Sequence, residues 1–322
     1  MVEDLARQTL ERARDHLLGL QHAEGWWQGE LETNVTMDAE DLLLREFLGL
    51  HDDAVIATAS RWIRSRQRDD GTWANFYGGP ADLSTTVEAY LALKLAGDEP
   101  DAPHMKLARD WILEQGGVEA SRVFTRIWLA LSGLWSWDDL PVIPPELIYL
   151  PSWFPLNIYD WGCWARQTIV ALAVVQSFRP SRPIGLSIDE LKTGGPHGRA
   201  PRPRRDLDAR PVGGTTNPAD PWARVFDALD QALHVYDRSL RRPGRLSRSG
   251  RPNRLSRPGR PGRPGHPQSP SLYRPVKSGK VAVRRAALRR CGEWIIARQE
   301  KDGCWGGIQP PWVYSLMALN LL

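Results

Sequence analysis

One short pattern constrains this chain more than any other: Gln, three residues, Gly, one residue, Trp. It occurs as Gln21, Gly25 and Trp27, again as Gln67, Gly71 and Trp73, and again as Gln299, Gly303 and Trp305. An apolar run of helical character precedes each copy, at Leu17-Leu18, Trp62-Ile63 and Trp294-Ile295-Ile296. A degenerate copy from Trp111 to Gly117 keeps the helix end and loses the Trp. Gln21, Gln67 and Gln115 are separated by 46 and 48 residues, enough for a helical hairpin. Periods of this size point to stacked units that bury their apolar faces only against each other. Within one copy, Gly tolerates the left-handed conformation that ends a helix. The Gln amide can donate and accept, and so tie that end to a neighbour. Trp supplies a broad surface to cover the join.

The chain has 322 residues, enough for a large core. Its fifteen Trp outnumber the seven Tyr and six Phe together, so indoles pack the joints between repeats, line an aromatic cavity, or do both. Cys163, Cys291 and Cys304 have no paired metal-binding spacing, which points to no metal site and to a reduced compartment. The first residues lead into an amphipathic helix without a secretory core, and no apolar run reaches the roughly 20 residues that span a bilayer. A cytoplasmic chain is expected, with contact to a membrane surface left open. The net charge of +4 belongs to one segment: residues 241–275 hold ten Arg and no Asp, Glu or Lys, so the remainder is net acidic. A fold-wide nucleic-acid face is therefore not expected.

Taken in order, residues 1–180 read as helical repeats without sustained period-two alternation, so the chain is all-α. Helices are expected near 5–20, 54–66, 102–115, 120–134 and 168–176, with capped starts after Asn34 and Asp82. Asp38, Glu40 and Asp41 form an acidic cluster of Asp-x-Asp-Asp type that could house an acid of raised pKa; the preferred reading is residues of a first helical turn, where unpaired backbone N–H groups favour them. A loop-rich segment covers 181–220. An amphipathic helix over 221–240 carries Trp222, Phe226, Leu229, Leu233 and Tyr236 at 4-3-4-3 spacing, a face for the core or for a membrane surface. Residues 241–275, with Arg at every third position from Arg245 to Arg263 among Pro, Gly and Ser, cannot pack a core and read as an insertion. The repeat pattern resumes over 276–322, and the final run Ser315–Leu322 reads as a helix cut off in mid-turn.

The repeats, together with Asn34-Val-Thr-Met, Asp69-Asp-Gly-Thr-Trp73, Asp82-Leu-Ser-Thr-Thr-Val-Glu-Ala-Tyr90 and Ser121-Arg-Val-Phe-Thr-Arg126, carry a resemblance. Pro155-Leu-Asn-Ile-Tyr159, Trp164-Ala-Arg166 and Trp305-Gly-Gly-Ile-Gln-Pro-Pro-Trp312 extend it. The chain resembles the N-terminal half of the squalene–hopene cyclases, of the terpene cyclase/mutase family, over nearly all of 10–180 and 280–322. The resemblance implies an α/α barrel (toroid) facing a large apolar cavity, in a peripheral, monotopic protein on the inner membrane face. It implies squalene or a related linear isoprenoid as substrate, cyclised to hopene or hopanol without metal or redox cofactor. Aromatic faces can stabilise carbocations there without adding nucleophiles, and a dry pocket delays quenching. Carried over by motif, Phe124 and Trp164 lie on or near the cavity. Ile308, Gln309 and Pro310 shape its wall, with Trp312 and Tyr314 beside them.

The family's proton donor, an Asp in an Asp-x-Asp-Asp motif, has no counterpart in this sequence, so no catalytic residue is assigned. The chain is expected to be inactive alone, supplying cavity wall to a separate C-terminal cyclase half; a second copy of the chain is a further candidate partner. The competing reading is a non-catalytic, membrane-associated lipid-binding fragment using the 222–236 stripe. A zinc prenyltransferase subunit fits poorly for want of an Asp/Cys/His set, and nucleic acid ranks last among the partners.

Overall fold

The computed structural model describes residues 2–27, 34–194, 221–241 and 278–322. Among these the regular structure is helical, with one isolated β-bridge joining Ala74 and Ala81. The helices are α1 (Val2–Gly19), α2 (Val35–Leu48), α3 (Asp53–Ser65), α4 (Leu83–Leu95) and α5 (Pro103–Glu114). They continue as α6 (Val123–Leu131), α7 (Cys163–Phe178), α8 (Pro221–Arg241), α9 (Ser278–Ile296) and α10 (Gln309–Leu321). Side chains set several starts. Asn34, Asp52 and Asp82 each accept a bond from a backbone N–H of the first turn they precede. The last helix begins at Gln309, six residues before the run that announces it, because Pro310 and Pro311 occupy first-turn positions that need no N–H donor. Likewise α7 starts at Cys163 rather than Thr168.

Burial sorts the helices into two layers. Helix α3 buries only Ser60 and Ile63, whereas α4 buries every residue from Ser84 to Leu93. A helix enclosed on all sides loses its polar face, and α4 shows no amphipathic stripe. Inner helices α2, α4, α6, α7 and α10 contribute most of one continuous core, and α3, α5 and α9 lie outside them. This is the helical-hairpin architecture of an α/α barrel. Helix α1 has no buried residue.

Each full copy of the recurring pattern builds the same turn. The Gln amide Nε2 donates to the Gly carbonyl four residues on, at 2.8 Å for Gln21, 2.9 Å for Gln67 and 3.0 Å for Gln299. The Trp indole donates back to a carbonyl ten residues earlier: Trp27 to Leu17, Trp73 to Ile63 and Trp305 to Ile295. Gly25, Gly71 and Gly303 all have positive φ. An Arg stacks on the helix's last Trp in two copies, Arg66 over Trp62 at 3.9 Å and Arg298 over Trp294 at 3.7 Å. The expected tie to a neighbour is made by Gln67, which also donates to the His104 carbonyl at the start of α5. Among the described residues, the Gln21 and Gln299 amides bond within their own turns.

The inner helices share a direction. At one end their first turns meet: Thr36 of α2 lies 3.4 Å from Thr85 of α4, and the Arg122 backbone N–H before α6 donates to Ser84 at 2.9 Å. At the other end a strap over 179–194 crosses their last turns. The Arg182 backbone donates to the Leu131 carbonyl at 2.8 Å, and its guanidinium donates to the Phe47 carbonyl and, at 3.3 Å, to Asn320. Further along, Ser187 and Glu190 take Lys94, each at 2.5 Å, and the Thr193 N–H reaches Glu119 at 3.1 Å. This strap is the described part of the loop-rich 181–220 segment. The rest of that segment, and the Arg-rich tract from 242 onward, lie outside the described residues.

Candidate functional site

The end where the first turns meet gathers the residues of most chemical interest. Glu40 on α2 and Glu88 on α4 both point inward and are almost fully buried. Glu88 is held by the Arg122 guanidinium at 3.3 Å and by the Thr125 hydroxyl, which donates to it. Glu40 accepts the Gln309 amide of α10 at 2.6 Å. Helices α2, α4, α6 and α10 thus converge on one carboxyl pair, with the Arg122 cation from the start of α6 beside it.

Burial holds both carboxyls above the ordinary range. The pair splits by its partners. Arg122 and Thr125 pull Glu88 back down, whereas Glu40 is pushed up to about 8 by burial and then by the charge of Glu88, against the weaker pull of Gln309. Of the two, Glu40 is the carboxyl pushed towards its protonated form near neutral pH, and Glu88 is the one held by a cation. The buried Trp128 indole N–H lies beside Glu40 and adds the weakest of the downward pulls on it.

Aromatic surface surrounds this pair. Tyr314 is buried with its ring 6.1 Å from Trp128 and 6.3 Å from Phe124, both edge-tilted. Its hydroxyl is driven well above its ordinary pKa by burial and by the two glutamates. Outside this layer the ring opens. Phe124 is 38% exposed, Ile308 45% and Trp164, on the first turn of α7, 55%. Trp153 and Phe154 stand edge-on at 5.9 Å and are exposed, as is Tyr159, over whose ring Arg166 of α7 stacks at 4.8 Å. These exposed apolar side chains contrast with the buried carboxyl pair.

The structure places the motif-derived residues unequally. Gln309 bonds to Glu40, Tyr314 lies close enough to feel the charge of both glutamates, and Phe124 packs at a tilt beside Tyr314. Ile308 and Trp164 are exposed, Pro310 sits in the first turn of α10, and Trp312 is half-buried against the core. Asp38, Glu40 and Asp41 do not act together. Asp41 pairs with Arg45 at 2.7 Å on the surface, and Asp38 is a partly buried first-turn acid near Trp62. Only Glu40 faces the axis, so reading all three as first-turn acids missed it. The signal was present: Glu40 falls on the same helical stripe as Leu43, Leu44 and Phe47, all buried. Glu88 and Arg122 were quoted as motif letters and given no role.

The stripe on α8 divides. Phe226 is 48% exposed and Leu229 40%, while Leu233 and Tyr236 are half-buried. The Trp222 side chain lies outside the described residues. No described helix is long and apolar enough to cross a membrane.

Comparison with known proteins now has a geometry to attach to. The sequence model of the squalene–hopene cyclase N-terminal domain matches residues 10–249 and 271–322, leaving 250–270 unmatched. A squalene–hopene cyclase of Alicyclobacillus acidocaldarius is 41% identical across 98% of this chain and 42% of its own length. Another, of Zymomonas mobilis, is 41% identical across 72% of this chain and 34% of its own. A dammaradiene synthase of Dryopteris crassirhizoma is 30% identical across 98% of this chain and 39% of its own. The chain thus spans about two fifths or less of the length of these relatives. It belongs to the squalene–hopene cyclase family and corresponds to that family's N-terminal domain.

Proposed function

We propose that this chain supplies one wall of a triterpene-cyclising cavity, together with the group that takes up the proton released when cyclisation ends. The carrying observation is the buried Glu40–Glu88 pair, set with Arg122 and Gln309 close to Tyr314. The names of the relatives support squalene or a related linear isoprenoid as the guest. Such a hydrocarbon needs shape and aromatic faces rather than hydrogen bonds. Phe124, Trp164, Ile308, Pro310, Trp312 and Tyr314 are the residues we assign to the wall or its support.

A cyclisation cascade leaves a carbocation at its last ring. Losing a proton from the neighbouring carbon turns that C–H electron pair into the new double bond, and the proton must go to a base. Glu88, the carboxyl that carries the Arg122 partner, is the base we assign on this wall, with Glu40 and Gln309 beside it. The opposite step, protonating an alkene to begin the cascade, needs a strong acid. A carboxyl held at about 8 is far too weak, so Glu40 is not the initiator. With no Asp-x-Asp-Asp motif in the sequence, the initiating acid would come from a companion polypeptide equivalent to the rest of the relatives' length.

A squalene conversion assay, read by gas chromatography and mass spectrometry, tests this directly. No product is expected from the chain alone, and a cyclic product from the chain mixed with such a companion. Product from the chain alone would refute the division of labour. In the active mixture, Glu88→Gln should lower the ratio of alkene to alcohol product at least tenfold; an unchanged ratio removes Glu88 as the base.

The exposed Phe226 and Leu229 favour a second reading, lipid-surface binding at an inner membrane face. Co-sedimentation with liposomes, compared between the parent and Phe226→Ser, tests it. Equal recovery from both rejects α8 as the contact.

A further inference from the structure

Outside the site, the densest buried charge lies where α8 meets the body. Asp237 is 3% exposed, and each of its carboxylate oxygens takes a different arginine: Oδ2 receives Arg179 at 3.0 Å and Oδ1 receives Arg284 of α9 at 3.2 Å. Arg284 also donates to Glu146 at 2.7 Å, and the Tyr236 hydroxyl donates to the same Glu146 oxygen at 3.2 Å. The Arg284 guanidinium sits 5.6 Å from the centre of the Tyr236 ring. Two turns before Asp237, Asp230 accepts the Val142 N–H at 3.1 Å. Arg179 completes the set with Asp138 at 2.5 Å. A cavity of about 10 Å³, the size of one water, touches Trp137, Gln176, Arg179, Asp237 and Arg284.

These contacts divide α8 chemically. Its last two turns are fastened by charged and polar groups, while Phe226, Leu229 and Val235 remain exposed. An apolar stripe would dock a helix by its own burial; here the fastening is electrostatic and desolvated, where charge pairs are least screened and most costly to break singly. The partners straddle the part of the sequence that the family model does not match. Asp237 precedes residues 250–270 and Arg284 follows them.

We propose that α8 is a separable helix, held to the body by an ion clasp centred on Asp237, and that this clasp, rather than the chain between 242 and 277, fixes its position. Breaking the clasp uncovers Leu233 and Tyr236, which lie on the same stripe as the exposed Phe226 and Leu229. The unmatched stretch can then vary in length without moving the helix.

Hydrogen exchange with mass spectrometry on the full chain tests this against three variants. Asp237→Asn should raise exchange across 226–241 at least tenfold while α4 and α6 keep their protection. Glu146→Gln, a milder change, should raise it at least threefold. Deleting 250–270 should leave it within twofold of the parent. Unchanged protection of 226–241 in Asp237→Asn overturns the proposal, as does a tenfold rise caused by the deletion alone. If Asp237→Asn also loses protection in α4 and α6, the Glu146→Gln result decides.

Discussion

The turn at Gln21 and the turn at Gln67 are built from the same bonds and live in different surroundings. Both have the Gln-to-Gly bond, the indole bonded ten residues back and a positive-φ Gly. Yet Trp73 is 1% exposed and Trp27 is 50% exposed. The difference is a neighbour. Helix α5 comes down on the Gln67 turn so closely that a Cβ at Gly71 would lie 2.4 Å from the Leu107 Cβ and 2.9 Å from the Ala108 nitrogen. At Gly25 the nearest atom among the described residues is Nε2 of the turn's own Gln21, at 3.9 Å. The motif therefore specifies a turn, and stacking converts that turn into stability.

The comparison can be broken in four ways. Trp73→Ala should cost about 3–5 kcal/mol in chemical denaturation, as large buried aromatic truncations do, whereas Trp27→Ala should cost less than about 1 kcal/mol. Equal losses would mean that the Gln21 turn is buried too. Gly71→Ala should cost about 2–4 kcal/mol, combining a left-handed backbone with a clash against main chain. Gly25→Ala meets only the backbone term, about 1–2 kcal/mol.

Helix α2 follows the exposed Gln21 turn and is itself buried, which a titration can check without touching α1. Between 4.5, the ordinary value for a glutamate, and about 8, the folded chain keeps a proton on Glu40 that the unfolded chain has lost. Stability from this source is complete below 4.5 and falls as pH rises to about 8, by up to about 1.4 kcal/mol per pH unit. Denaturation midpoints at pH 5, 6, 7 and 8 should decline in the parent and flatten in Glu40→Gln. A parallel decline in both would place Glu40 in water. Smallest is the amide: Gln67→Ala loses two bonds and should cost about 1–2 kcal/mol, against about 0.5 kcal/mol for Gln21→Ala, which loses one exposed bond.

How much was legible follows from the same contrast. Local signals worked where a local cause acts: the caps at Asn34 and Asp82, the Gly of each repeat, the amphipathic α8. They failed where the neighbours decide. Nothing in the letters around Gln21 says that its Trp is exposed. Helix α4 offers no stripe because it is enclosed, and Glu88 hides in a run whose buried residues include Thr85 and Thr86 as readily as Val87. Motif resemblance led to Gln309 and Tyr314 but was silent on what they touch. Glu40 was within reach, since its helical phase with Phe47 was readable, but proximity to Asp38 and Asp41 in sequence outweighed it.

The shared direction of the inner helices has an electrical consequence. Each helix carries roughly half a positive charge at its first turn and half a negative charge at its last. Aligned inner helices add these into a field along the barrel axis, positive where the first turns meet around Glu40 and Glu88 and negative where the Arg182 strap crosses. The proposed hydrocarbon guest would feel little of this field while neutral. A cation formed on it would be repelled by the helix ends and attracted by the aromatic faces. On that reading the same wall would be indifferent to the guest before ionisation and selective about where its charge could rest afterwards.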